Sequence, residues 1–253
     1  PDAHSKPTVT KLGMANILAD LIKNVKFDLD RSPSLWGVGS QSRRSKSHPY
    51  NSFGDRRKSD VLSFKSHTSA VCKSAYFHIR ALRHIRPALT DDMASTLAAS
   101  IVQTRLDYAN AVLYGSPAYN IRRLQRVQNT LARVVLPGLS HLPTSTLLHQ
   151  LHWLPVEKRI QFKLATLTYK TLSLGQPVYL RSLLHDYQPS RSLRSASQQL
   201  LSLPDITTEF GRRSFSYSAP HVWNKLPLDL RTSPSLNSFK NQLKTYLFTQ
   251  FGN

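Results

Sequence analysis

The spacing of apolar residues constrains the fold of this chain more than any other feature. Apolar side chains recur every three to four residues after about residue 61, which is the period of an amphipathic α-helix. Two clear stretches are one that starts at Ser116-Pro117 and ends before Pro137-Gly138, and one that has Pro155 at its first position and runs to about Leu174, before Gly175. Short links between such helices are typical of bundles. The sequence therefore predicts a mainly α fold.

Further helices are predicted on both sides of these two. Pro87 ends one that begins near Phe64, and Thr90 caps the next, with Asp91 and Asp92 in its first turn and Gly115 at its end. Shorter helices are predicted at 144–151, 178–186 and 235–248. Between Pro189 and Pro227 the pattern indicates irregular structure with a small β-hairpin at about 199–217, and we expect Phe210, Phe215 and Trp223 to nucleate a small core there.

The first 60 residues differ in composition from the rest. Residues 9–26 predict a short amphipathic helix, whereas 30–60 are rich in Ser, Arg, Pro and Gly and predict a basic, disordered linker. Its basic residues are either a nuclear-import or nucleic-acid patch or a solvated run of charge. We therefore divide the chain into 1–60, a helical bundle at 61–137 and a helical C-terminal region at 138–253. The first residue, Pro1, is not Met, which suggests a fragment or a processed product.

The charge balance favours a polyanionic partner. The 253 residues include 34 Lys and Arg against 14 Asp and Glu, a formal net charge of +20. Nucleic acid is the commonest such partner, and an anionic membrane surface is the alternative. No apolar run approaches the roughly 18 residues that span a bilayer, so we expect no membrane insertion. Cys72 is the only cysteine, which predicts a reducing intracellular location, in the nucleus or the cytoplasm.

The basic residues are grouped on helix faces. The residues that we predict to contact nucleic acid are Lys73, Arg80 and Arg83 on one helix, Arg122, Arg126 and Arg133 on another, and Lys163 and Lys170 on a third. Tyr76, Tyr108 and Tyr119 lie near basic residues and are candidates for stacking on bases or sugars. The alternative is that these faces are simply solvated and that the tyrosines fill the bundle.

Signals for catalysis and for metal binding are weak. Asp91-Asp92 fits a helix N-terminus better than a polymerase carboxylate pair, and Asp107 fits an ion pair. The residues His141, His149 and His152 lack the spacing of a metal site, and we expect no cofactor. The phosphate-binding glycine motifs and the nucleophile motif G-x-S-x-G are absent. We expect Trp153 and Trp223, each followed closely by Pro, to be packing anchors.

Several segments resemble the region that follows the palm in reverse transcriptases of non-LTR (LINE-type, CR1/L2/jockey-like) retrotransposons. They are VLSFKSHTSAVCKSAYFHIRALRHIRP from Val61, IVQTRLDYANAVLYG, IRRLQRVQNTLARVVL, LHWLPVEKRIQFKLATLTYKTL, RSLRSA, SAPHVWNKLP and SFKNQLKTYLF to Phe248. The resemblance implies a thumb-like bundle at 61–137 that grips the template–primer duplex. It does not extend to residues 1–60, and Ala109 stands where the family often has Cys.

The resemblance also implies what this chain lacks. The family's catalytic Asp-Asp pair, in a FADD-like motif, would lie before the matching region, so Mg²⁺ chemistry belongs to a parent polymerase. We therefore expect no enzyme activity from the chain alone, and non-sequence-specific binding to RNA or an RNA/DNA duplex. Three alternatives stay open: a non-functional remnant of a dead element, a domesticated module that binds acidic proteins, and an unrecognised enzyme.

Overall fold

The computed structural model describes residues 64–188 and 198–251, and the described part is mainly helical, as predicted. It has ten α-helices, which are α1 (Lys65–Ile85), α2 (Asp91–Ala98), α3 (Thr104–Asp107), α4 (Ala118–Val135), α5 (Thr144–Gln150), α6 (Val156–Leu174), α7 (Val178–Arg181), α8 (Phe215–Trp223), α9 (Leu228–Arg231) and α10 (Leu236–Thr249). Four short 3-10 segments join them at 86–88, 110–113, 137–139 and 211–213. The predicted helix at 9–26, the predicted linker and RSLRSA lie outside the described residues.

The N-terminal half is built around α1 and α4, which pack side by side. Arg123, near the start of α4, donates a hydrogen bond of 3.0 Å to Ser69 Oγ near the start of α1. Arg86, just after α1, donates to the carbonyl oxygen of Val135 at the end of α4. Because starts lie near starts and ends near ends, α1 and α4 run in the same direction. The chain returns between them through α2 and α3, and the apolar faces of all four helices meet in one core.

The return segment differs from the single helix predicted to run to Gly115. Thr90 caps α2 as predicted, with its Oγ1 accepting from the Met93 amide. However, residues 99–103 form a π-helical turn and α3 ends at Asp107. Ala109 then takes a left-handed conformation with φ of 50°. Asp107, the last residue of α3, accepts a hydrogen bond of 2.7 Å from Arg159 of α6, so the helix ends at a long-range contact that local spacing does not reveal.

The turn between α5 and α6 is held by side chains of α4. Gln128, which is fully buried, donates a hydrogen bond of 2.9 Å to the carbonyl oxygen of Leu154. Gln125 accepts a hydrogen bond of 2.9 Å from the amide of Val156. The second contact satisfies a first-turn amide of α6 that has no partner within its own helix. Trp153 is buried in this turn, which agrees with its predicted role as a packing anchor. Gly175, with φ of 65°, ends α6 as predicted.

The C-terminal core is aromatic, but its members differ from those predicted. Phe239 of α10 is fully buried, stacks on Tyr169 at 4.5 Å between ring centroids, and lies 6.0 Å from Trp223. Trp223 is buried, as expected of a packing anchor. Phe210 is 63% exposed, so the prediction that it nucleates this core is wrong. The aromatic neighbour of Trp223 is Phe239 of α10, which in turn stacks on Tyr169 of α6.

The predicted β-hairpin at 199–217 is wrong as well. Among residues 198–251 the second half of that range forms a 3-10 turn and the start of α8, and the first half pairs only through one isolated antiparallel bridge between Asp186 and Leu201. The side chain of Asn224 pairs with the backbone of Leu201 where a second strand would otherwise pair. Its Oδ1 accepts from the Leu201 amide at 2.9 Å and its Nδ2 donates to the Leu201 carbonyl at 2.8 Å. One amide side chain thus satisfies both backbone groups.

Other predictions vary in accuracy. The helix expected at 178–186 is only the single turn α7, whereas the closing helix agrees, with Ser235 capping α10 through the Ser238 amide. Helix α4 contacts α1 within the predicted 61–137 bundle and also contacts α6, which lies beyond the boundary that we predict near residue 137. No helix in the described part of the chain is both long enough and apolar enough to cross a bilayer.

Candidate nucleic-acid interface

Helices α1 and α4 combine strong positive charge with a complete lack of acidic residues. Each helix carries four Lys or Arg residues and no Asp or Glu, so the pair has a formal charge of +8. We call this set the α1–α4 basic surface. Its members are Lys65, Lys73, Arg80 and Arg83 of α1 and Arg122, Arg123, Arg126 and Arg133 of α4. Within residues 64–188 and 198–251 none of these eight side chains forms an ion pair with a carboxylate.

The six predicted binding residues on α1 and α4 are all exposed. On α4, Arg122, Arg126 and Arg133 share one stripe because they are four and seven residues apart. At a rise of about 1.5 Å per residue this stripe is about 16 Å long. On α1, Lys73 and Arg80 are likewise seven residues apart and share the exposed face.

The structure brings residues of the two helices together at their C-terminal ends. Arg83 of α1 and Arg133 of α4 line the same depression of about 360 Å³, together with Arg86, Val134 and two prolines. The two rows of charge were identified separately from sequence spacing, and nothing in the sequence says that they meet. Here they converge on one surface depression.

Two arginines that sequence reasoning missed explain why this surface is ordered. Arg123 lies off the exposed stripe and ties α4 to Ser69 of α1. Arg86 donates to the carbonyl oxygens of Leu89 and Val135 and pairs with Asp91. Arg86 thereby satisfies a C-terminal carbonyl of α4, and Asp91 compensates the charge of Arg86. The one available signal was the position of Arg86 next to Pro87, where a helix ends.

The positive charge of Arg123 affects the pKa of a buried group between the two helices. Burial raises the pKa of the Cys72 thiol on α1, and the positive charge of Arg123 opposes that rise in pKa. A cation on α4 therefore acts on a buried group of α1. The uncompensated field of this surface is that of a site for anions.

Lys163 and Lys170 occupy a different position. Both are exposed on α6, as predicted. However, α6 contacts α4 through Gln125, which lies about 160° around α4 from Arg123 at 100° per residue. Helices α1 and α6 therefore flank opposite sides of α4. The two lysines form a separate exposed strip rather than part of the α1–α4 basic surface.

The three tyrosines do not form one platform. Tyr119 lies on the exposed side of α4 and is 37% exposed, and Tyr76 is half-buried on α1. Tyr108, at 60% exposure, follows α3 instead. Only Tyr76 and Tyr119 are therefore placed beside the basic residues of α1 and α4.

Four of the residues considered for catalysis and metal binding have structural partners, which are Asp91, Asp107, His149 and His152. Asp91 and Asp92 lie in the first turn of α2, and Asp107 pairs with Arg159, as the ion-pair interpretation predicts. His149 stacks on Phe251 at 5.1 Å, and His152 lies against Phe248. Within the described ranges no three His, Cys, Asp or Glu side chains are grouped to hold a metal ion.

A second polar pair lies near α8. The Tyr114 hydroxyl and His221 Nδ1 are 2.5 Å apart, and the ring of Tyr217 stacks on His221. Burial lowers the pKa of His221, with a smaller effect from Lys225, and burial raises the pKa of Tyr114. This hydrogen bond ties the residue after the 110–113 segment to α8.

Comparison with known proteins does not place the chain in a family: no protein-family model, no curated protein and no solved structure matches it.

Proposed function

We propose that the chain binds the backbone of an RNA/DNA or RNA duplex through the α1–α4 basic surface, without sequence specificity. The observation that carries the proposal is the +8 charge of two adjacent helices with no acidic residue on either. Lys and Arg neutralise phosphates and release counterions, which supplies non-specific affinity. The resemblance to the thumb region of non-LTR reverse transcriptases supports the same role, as the duplex-gripping part of such a polymerase.

The dimensions of the surface suit a duplex backbone. The stripe of Arg122, Arg126 and Arg133 is about 16 Å long, which at 3.4 Å per nucleotide along one strand corresponds to about five steps. The second row, on α1, runs in the same direction beside it. Contacts from Lys and Arg to phosphates set orientation but carry no sequence information. The proposal assigns binding to this chain and assigns the Mg²⁺-dependent chemistry to a parent polymerase.

Fluorescence anisotropy with a 20-base-pair RNA/DNA heteroduplex tests the proposal. We expect log K to fall linearly with log salt between about 50 and 200 mM, with a slope near −0.9 for each phosphate neutralised. The triple substitution R122Q/R126Q/R133Q should weaken binding about tenfold or more and reduce the slope by about 1 for each lost contact.

A matched control removes three charges elsewhere. K225Q/K240Q/K244Q changes the loop after α8 and the helix α10, which packs on α6. We expect this control to change binding much less than the α4 variant. Undetectable or salt-insensitive binding, or equal losses in both variants, would reject the proposal. If polyglutamate competes as well as unlabelled heteroduplex, the surface binds acidic proteins rather than nucleic acid.

A further inference from the structure

A cavity whose lining shares no residue with the α1–α4 basic surface is lined by an arginine that forms no ion pair within the described part of the chain. The cavity has a volume of about 500 Å³ and lies between the end of α6, the single turn α7, and the elements α8 and α9. Arg231, the last residue of α9, lines it and is only 7% exposed. Its Nε and Nη1 atoms are buried and have no hydrogen-bond partner among residues 64–188 and 198–251.

A buried guanidinium without a partner is unusual because desolvating a charge is costly. Buried Arg side chains are normally paired with carboxylates or held by several hydrogen bonds. Burial lowers the pKa of Arg231, but arginine stays protonated in proteins. The protein therefore holds a positive charge in a cavity, and an anion in that cavity would compensate it.

The remaining lining residues indicate what kind of anion fits. Arg181 supplies a second guanidinium to the lining. This group donates a hydrogen bond of 2.6 Å to the Leu184 carbonyl oxygen and lies 3.7 Å from the Asp186 carboxylate. The two arginines and one aspartate of the lining sum to +1, which matches a single oxyanion. Leu172, Leu201, Tyr187 and Trp223 supply apolar and aromatic wall. The volume lies in the range of small-molecule sites.

We propose that this cavity binds a small organic anion, with its oxyanion compensating Arg231 and its apolar body lying against Tyr187 and Leu172. The guanidinium is planar and binds carboxylates and phosphates alike, so the oxyanion is the shared chemistry. The inference stands independently of the nucleic-acid proposal, because none of the lining residues belongs to the α1–α4 basic surface.

Three probes with the same ring separate the contributions: benzoate, phenyl phosphate and the neutral benzyl alcohol. Binding is measured by the shift in thermal midpoint and by isothermal titration calorimetry. We expect saturable binding and stabilisation with at least one of the two anions and none with benzyl alcohol. Preference between the anions distinguishes a carboxylate site from a phosphate site.

Variants locate the effect. Arg231→Met keeps side-chain length and removes the charge, and we expect it to weaken binding of the preferred anion about tenfold or more. Arg212→Gln, which changes an exposed arginine outside the cavity, should bind that anion as the original chain does. R122Q/R126Q/R133Q should also bind it normally, which separates the cavity from general attraction to a basic protein.

A second route covers the case in which Arg231→Met does not fold. Leu172→Trp fills the cavity without touching the charge, and Arg181→Gln removes the second guanidinium. Both should weaken anion binding. The proposal is overturned if neither anion binds, if benzyl alcohol binds as well as the anions, or if binding survives the loss of Arg231 or the filling of the cavity.

Discussion

The α1–α4 pair and the C-terminal core differ in where they carry charge and in how their side chains are held. In the first region, the eight Lys and Arg side chains have no acidic partner among the described residues, and the buried positions of the two helices are apolar apart from Thr68, His78, Asn120 and Gln128. In the second region, individual side-chain hydrogen bonds hold the core. The Tyr169 hydroxyl donates a hydrogen bond of 2.7 Å to the Ser233 carbonyl oxygen, and Asn224 Oδ1 accepts a hydrogen bond from the Leu201 amide. The comparison separates a surface suited to binding from a core whose stability depends on individual side-chain partners.

The largest expected effect is loss of the aromatic core. Phe239→Ala removes a fully buried ring that stacks on Tyr169. We expect the free energy of unfolding to fall by about 3–5 kcal/mol, because both transfer energy and cavity formation contribute. Urea denaturation measures it. Phe210→Ala, at a 63% exposed ring, is the control and should change stability by less than about 0.5 kcal/mol.

Asn224 tests whether a side chain replaces a hairpin. Asn224→Ala leaves both backbone groups of Leu201 without this partner, and we expect a loss of about 1–3 kcal/mol. Faster hydrogen exchange of the Leu201 amide would localise the loss. Asn237→Ala, at an exposed position on α10, serves as the control. Unchanged exchange at Leu201 would show that the segment is held by something else.

The Asp107–Arg159 pair joins α3, which packs on α1, to α6. Because Asp107 is 39% exposed, solvent screens the interaction, and we expect a coupling free energy of about 1 kcal/mol. A double-mutant cycle with Asp107→Asn and Arg159→Gln measures it. The more exposed pair of Arg181 and Asp186, 3.7 Å apart, should couple far more weakly. Equal coupling in the two pairs would contradict this ranking.

A smaller effect is expected from pH. The fold lowers the pKa of His221 from its ordinary value near 6.5, so the unfolded chain binds the proton more readily. The contribution of His221 to stability is therefore complete above about pH 6.5 and is lost as the pH falls towards the lower folded pKa. Unfolding curves at several pH values should show this slope. His221→Gln should remove it, whereas Tyr114→Phe should leave part of it, since the ring stays buried.

The smallest effect concerns stability at the basic surface. Like charges on α1 and α4 repel one another, so R122Q/R126Q/R133Q should raise stability by a few tenths of a kcal/mol at low salt. Salt screens the repulsion, and the gain should vanish near 1 M salt, where the Debye length is about 3 Å. Destabilisation by this variant would mean that the arginines make internal contacts that matter more than their repulsion.

Local signals predicted most of the helices correctly. Thr90, Gly175 and Ser235 mark helix ends as their chemistry requires, because caps and left-handed glycines act within one turn of the helix. The segment TRLDYAN did not obey its local pattern. Its helix ends at Asp107, whose partner Arg159 lies 52 residues away in the sequence. No window of helical periodicity contains that partner.

The candidate site could be predicted only in part. Spacing placed Arg122, Arg126 and Arg133 on one exposed stripe, because i, i+4 and i+7 positions share a helix face whatever the tertiary structure. It could not show that Arg83 lies beside Arg133, nor that Lys163 and Lys170 lie beyond the opposite side of α4. Those relations depend on how whole helices pack.

The sequence by itself determined the helical class, most helix ends and the excess of positive charge, since periodicity, caps and composition are local properties. The tertiary structure alone decided which charges meet and which are buried. Arg231 has the sequence context of an ordinary surface residue, LDLRTSP, yet it lines a cavity, and two of its buried nitrogens have no partner in the described part of the chain. Burial of a polar atom depends on contacts between residues distant in the chain, and therefore on the packed fold.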